Sequence, residues 1–212
     1  MSRFRRSQVE TVRLLSKGEH LLAPRTEVVR TGGKLLVRKA YPRPNPLATM
    51  LLSHEASVLR SLQGVRGIPA LESFSPGRHL LTEFRPGRHV HECSTKTLTR
   101  TVYDGLVALV EGMHRRRVAH LDLRQRKNIL IDESGEATII DFQSSVRFPE
   151  NGLFNPLLDL CRWVDRSALL RWKHRYFPSL MTERDRGAIR LHLWFRPFWV
   201  LSPFKRRAKD LA

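Results

Sequence analysis

Residues 114–143 read HRRRVAHLDLRQRKNILIDESGEATIIDFQ, and the fold is decided by how this stretch is read. It holds two short apolar runs, NILI at 128–131 and TII at 138–140, joined by Asp132-Glu-Ser-Gly-Glu136. Branched apolar runs separated by Asp, Ser and Gly predict a hairpin. An antiparallel hairpin brings the start of its first strand beside the end of its second. Those ends carry Asn128 and Asp141, and Asp122 stands in the loop just upstream. One amide and two carboxylates therefore meet at one mouth. Hard oxygen ligands that leave room for water suit Mg²⁺ carrying substrate phosphates.

His120-Leu-Asp122-Leu, then Asn128, then Asp141-Phe142-Gln143 resembles the H-R-D-L-x-x-x-N and D-F-G motifs of the protein-kinase-like superfamily. The resemblance implies that Asp122 orients or deprotonates an acceptor hydroxyl, while Asn128 and Asp141 hold Mg²⁺ against the phosphates of ATP. Arg124 falls where many protein kinases carry a lysine that neutralises the γ-phosphate, and His120 becomes a brace for the loop. Two departures stand out. The step from Asp122 to Asn128 is one residue longer than the motif, so the loop must bulge. Gln143 replaces a glycine, which removes easy access to positive φ and argues against a flipping activation switch. With its D-F-Q ending and lengthened loop, the chain is similar to small bacterial proteins of the RIO and lipopolysaccharide-kinase branches.

The composition sets outer bounds. A chain of 212 residues can bury a good core as one domain or two small lobes. A net charge of +18 favours anionic partners: nucleotide phosphates, nucleic acid or acidic lipid. Cys93 and Cys161 give neither a disulfide framework nor a metal spacing, which fits a reducing cytoplasm. The basic start, MSRFRRSQVETVRLL, lacks the apolar run of a signal peptide. No stretch has the ~18 apolar residues of a spanning helix. A cytoplasmic protein is expected, with residues 1–16 as a basic helix or arm, either solvated or turned toward phosphate or lipid.

Strands are predicted at Glu27-Val-Val29 and Leu35-Leu-Val37, turned by Thr31-Gly-Gly33. Alternation puts Leu35, Val37, Lys39 and Tyr41 on one face and Arg38 on the other. An inward Lys39 is costly unless paired. The helix expected over 47–62 carries Glu55 on its apolar stripe with Leu51 and Leu59, in position to pair with it. In the kinase family a strand lysine and helix glutamate of this kind position the α- and β-phosphates. A G-x-G-x-x-G loop is missing. Two more strands are expected at 67–71 and 79–83. Residues 80–87, LLTEFRPG, resemble the kinase hinge, which implies ATP contacts from Thr82 at its entrance and from Glu83 to Arg85 along an extended backbone. Pro86-Gly87 then divides an N-terminal lobe, 1–86, from a catalytic lobe, 87–212. His89 and His91 read as surface histidines.

Leu98, Val102, Leu106, Leu109 and Met113 repeat at helical intervals and predict a helix over 97–117. Past Gln143 about seventy residues remain and no A-P-E motif follows, so a full kinase lobe does not fit. A helix is expected over 155–172, with Asp159 either bracing the catalytic loop or lying on the surface. The tail, LHLWFRPFWVLSPFKRR at 191–207, is aromatic, proline-broken and basic. It is either an anchor at an anionic membrane or a docked helix.

These readings converge on an α+β, two-lobed, protein-kinase-like fold with a small antiparallel sheet plus one helix and a truncated helical lobe. The expected activity is ATP- and Mg²⁺-dependent transfer of the γ-phosphoryl group to a hydroxyl of a lipopolysaccharide or other glycolipid sugar, or of a protein Ser/Thr. A pseudokinase that binds nucleotide or scaffolds is the alternative. A nucleic-acid module has only the charge in its favour, without RNP-like aromatics, zinc spacing or a recognition-helix motif.

Overall fold

The structure, a computed structural model, describes residues 9–18, 23–43, 45–94 and 96–194, with side chains as far as 189. Residues 10–16, expected as a helix or arm, instead form strand β1 (Glu10–Ser16) at the sheet edge, paired with β2 (Arg25–Thr31). The pairing slips twice, between Thr11 and Arg13 and between Leu14 and Ser16. Arginines dominate the first six residues, but Val12, Leu14 and Leu15 favour a pleated partner once β2 supplies one. Residues 1–8 of the expected arm and 195–212 of the aromatic tail lie outside the described residues.

Gly32 and Gly33 turn β2 into β3 (Lys34–Ala40) with φ of 56° and 80°. Two successive positive φ values define the tight turn that matches strand twist. Helix α1 (Pro46–Ser61) follows, begun by the Asn45 side chain, whose Oδ1 accepts from the Ala48 amide at 2.8 Å. Its buried residues include Leu52, Glu55, Ala56 and Leu59.

Residues 67–70 do not extend the next strand as expected; β4 is Leu71–Ser75. Gly67 has φ 80°, and a Cβ on it would lie 2.4 Å from Leu109 Cδ1 and 2.6 Å from the Ala137 carbonyl. This stretch is spent on close packing against the second half of the chain, where Gly67 O accepts from the Ile139 amide. β5 (His79–Glu83) completes a five-stranded antiparallel sheet in the order β1-β2-β3-β5-β4.

β6 (Arg88–His89) precedes α2 (Arg100–Arg115), whose Thr99 cap accepts from Val102 and whose Val102, Leu106, Leu109 and Met113 are buried. β7 (Val118–Ala119) leads to the loop of Asp122. The expected hairpin is β8 (Ile129–Ile131) and β9 (Ala137–Ile139), joined to β6 in a three-stranded sheet. Asp132 Oδ1 holds its turn by accepting from the Ser134 amide and hydroxyl and the Glu136 amide. β10 (Val146–Arg147) pairs back on β7. α3 (Asn155–Tyr176) runs four residues past the expected end, and α4 (Glu183–Trp194) closes the described chain. The architecture is thus α+β. One apolar core runs from Leu52 and Leu59 of α1 through Leu106 and Met113 of α2 to Leu169 and Trp172 of α3. Among the described residues no helix is long and apolar enough to cross a membrane.

Candidate active site

Strand alternation decides which cation enters the interior. Lys39 stands opposite Leu80 of β5, on the face toward the core, whereas Arg38 turns away and pairs with buried Glu27, which also meets Arg25 at 3.2 Å. Lys39 Nζ donates to Glu55 Oε1 at 2.7 Å and to Asp141 Oδ1 at 2.9 Å. Glu55 Oε1 also accepts from the Phe142 amide at 3.3 Å. Burial works to lower the Lys39 pKa, but the Glu55 and Asp141 charges outweigh it and raise it above the usual lysine value. Burial would likewise raise the Asp141 carboxyl, and the Lys39 ammonium overcomes this and holds it below the usual carboxylate value. Lys39 and Asp141 stay ionised around neutrality, each favoured by the opposite charge beside it.

The loop bearing Asp122 is held from α3. Asp165, fully buried, accepts from the His120 amide at 2.8 Å, the Leu121 amide at 2.8 Å and His114 Nε2 at 3.0 Å. These bonds fasten a backbone in which Leu121 has φ 65°, a conformation that a branched side chain resists. His120 Nε2 lies 3.2 Å from the Ile140 carbonyl, and its Nδ1 accepts from the Asp122 amide at 3.3 Å. Those partners assign the proton to Nε2. Burial lowers the His120 pKa, so the ring is neutral and serves as a brace. It also meets the Phe142 ring edge-on, with centroids 5.0 Å apart.

Asn128 Nδ2 donates to the Asp122 carbonyl and to Asp122 Oδ2, both at 3.1 Å. Asn128 Oδ1 is buried with no hydrogen-bond partner. A buried acceptor left open is costly, and this one belongs to a side chain already bonded to the Asp122 carboxylate. Burial pushes the Asp122 carboxyl up; the Asn128 bond opposes this and the Asp141 charge adds to it. Among the described residues no three His, Cys, Asp or Glu side chains gather as a metal site. The open amide oxygen of Asn128 and the Asp122 carboxylate bonded to the same side chain are oxygen donors of the kind a hard cation takes.

Gln143 fits without a positive φ. The left-handed residue is Asp141, with φ 68° and ψ 73°, and residues 142–144 form a 3-10 turn. Gln143 Nε2 donates to the Tyr41 hydroxyl at 2.7 Å, and His54 Nε2 lies 2.6 Å from the Ser145 carbonyl, so this turn is tied to α1 and the strand end.

The remaining expected residues are less gathered. Arg124 is half-buried, two positions past Asp122. Thr82 pairs with Val37, which puts it on the Lys39 face. Glu83 pairs with Leu36 on the opposite face, and its carboxylate meets Arg85 Nε at 3.0 Å and accepts from the Ala70 amide. The side chains of Glu83 and Arg85 thus engage each other and do not converge on Lys39. The β1–β2 connection carries Gly18, and residues 19–22 within it lie outside the described residues.

Two residues escaped the sequence reading. Asp165, not Asp159, braces the loop: the Asp159 side chain is 68 % exposed and pairs with Arg162. Lys127, exposed beside Asn128, acts electrostatically on both Asp122 and Asp141 and favours their ionised forms. Its place next to Asn128 was the available signal for Lys127. For Asp165 the signal was an acid on the apolar side of a helix, in line with Leu158 and Leu169. His89 and His91 stack at 5.7 Å. No family model matches the chain, and no curated protein matches it either.

Proposed function

We propose that this chain is a phosphotransferase of the protein-kinase-like superfamily, with residues 1–86 and 87–212 as its lobes, acting on the cytoplasmic side. It uses ATP and Mg²⁺ to phosphorylate a hydroxyl of a glycolipid sugar, such as one of lipopolysaccharide, or of a protein Ser/Thr. One observation carries the reading: the half-buried Lys39 ammonium is shared by Glu55 and Asp141, while Asn128, bonded to the Asp122 carboxylate, keeps an unpartnered Oδ1. When bound with ATP, Mg²⁺ supplies the positive charge that offsets the phosphates during transfer.

The rest falls to the protein. Lys39, kept charged and aimed by Glu55, binds phosphate oxygens. Asn128 Oδ1 and Asp141 are the cation ligands. Asp122, whose carboxyl is pushed up by burial, orients the acceptor hydroxyl and takes its proton. Arg124 and Lys127 offset charge on the moving group, and Thr82 to Arg85 border the nucleotide base. Positioning and fixed charge are the main sources of rate in such transfers.

A second reading, nucleotide binding or scaffolding without turnover, has one observation in its favour: Gly18 is the single glycine between β1 and β2. The deciding experiment incubates the protein with γ-labelled ATP, Mg²⁺ and fractionated lysate. Label in glycolipid or protein that disappears with Asp141→Ala supports transfer. Thermal stabilisation by Mg·ATP without label transfer favours the second reading. Neither response overturns both.

A further inference from the structure

α3 has two apolar sides, and its core uses one. Leu158, Leu169 and Trp172 are buried with Asp165. Leu157, Leu160 and Val164 follow at helical spacing on another side, led in by Leu153 and Phe154 and flanked by Trp163. Leu153, Phe154, Leu157, Leu160 and Trp163 are 42 % to 76 % exposed. Three large apolar side chains exposed on the helix and two in the segment leading into it are more than singly scattered surface apolars. The same line runs on to Arg171 and Arg175, both exposed.

We infer that this face of α3 is a docking surface for an anionic lipid bilayer. Leucines and aromatics that enter the headgroup boundary, continued by arginines that meet anionic headgroups, are the pattern of an interfacial helix. Charge selects the occupant. A second copy would bring another net charge of +18 to a face already ending in two arginines. The chain's own segment at 195–212 would bring Lys205, Arg206 and Arg207. A bilayer rich in acidic lipid offers the opposite sign.

The helix that carries this face also holds the loop bearing Asp122, since its Asp165 accepts from the His120 and Leu121 amides. Arg117 Nη2 donates to Asn155 Oδ1 at 2.8 Å, and the Arg117 carbonyl accepts from the Phe148 amide at 2.9 Å. Seating this face on a bilayer therefore fixes the loop relative to the lipid surface. The inference goes beyond the phosphotransferase reading and stands without it, since vesicle binding involves no nucleotide.

The test is sedimentation of the full chain with phosphatidylcholine vesicles, with and without phosphatidylglycerol, for wild type and Leu157→Ser/Leu160→Ser. Both positions are exposed, so the variant keeps its core, and circular dichroism checks that it does. Expected are binding to the anionic vesicles only, loss of that binding at high salt, and affinity reduced about tenfold or more in the double variant. Wild type that ignores anionic vesicles overturns the inference. So does a double variant that binds equally well, which would place the contact elsewhere, including residues 195–212. A wild-type dimer that the double variant abolishes and that anionic vesicles do not compete with would make the face a subunit interface and also overturn it.

Discussion

Lys39 and Asp141 lie 102 positions apart in the chain, and their side chains meet at 2.9 Å. The contact joins the central sheet to the end of the β8–β9 hairpin, and Glu55 secures it from α1. A charge cluster built from three separate elements reports on fold and chemistry together.

Lys39→Met should therefore fail twice. It leaves Glu55, 4 % exposed, without its cation. Breaking a buried pair this way costs about 3 kcal/mol, seen as a lower urea midpoint. Phosphoryl transfer should fall by about a hundredfold or more. Full activity in this variant would remove Lys39 from the phosphate site.

The pH limits of this cluster follow from the directions of the shifts. Lys39 is raised in the fold, so its contribution is complete below the unfolded lysine value of about 10.4 and is lost as pH rises through the folded one. Asp141 is lowered, so its contribution is complete above about 3.9 and is lost as pH falls through its folded value. The part of the urea midpoint that this cluster contributes, read as wild type minus Lys39→Met, should be constant between these limits. In Lys39→Met the high-pH fall assigned to this residue should disappear.

Asp122 carries the opposite sign. Burial raises its carboxyl, so the ionised form is the costly one in the folded protein. That cost is absent below about pH 3.9 and complete above the folded value. Asp122→Asn, which keeps an acceptor for Asn128, should unfold at slightly higher urea than wild type at pH 7, with the gain vanishing in acid. Its transfer activity should be lost. A variant less stable than wild type at pH 7 would contradict the burial argument.

Asp165→Ala against Asp159→Ala separates the brace from the surface acid. Asp165→Ala strips acceptors from two backbone amides and from His114 and should cost about 3 kcal/mol or more. Asp159→Ala should stay within about 0.5 kcal/mol. Equal effects in denaturant titrations would undo the assignment of the brace.

Much of this was legible in the sequence. The Gly32-Gly33 turn, the Leu98-to-Met113 periodicity and the Asp132-to-Glu136 turn are local codes, each read within a few residues. The inward Lys39 followed from alternation, and Glu55 from its place on an apolar stripe. Edge strand β1 was not legible, because its partner β2 is what makes it a strand. Residues 67–70 looked like strand by composition, but close packing around Gly67 took precedence.

By itself the sequence singled out Lys39, Glu55, Asp122, Asn128 and Asp141, each from a local pattern of period, turn or motif. Only the tertiary structure decided their partners. Asp165 and not Asp159 grips the loop, Glu83 turns to Arg85, and Asn128 Oδ1 is left unpartnered. The physical reason is range. Periodicity and turn chemistry act over a few residues, whereas which buried oxygen meets which donor depends on how distant elements pack.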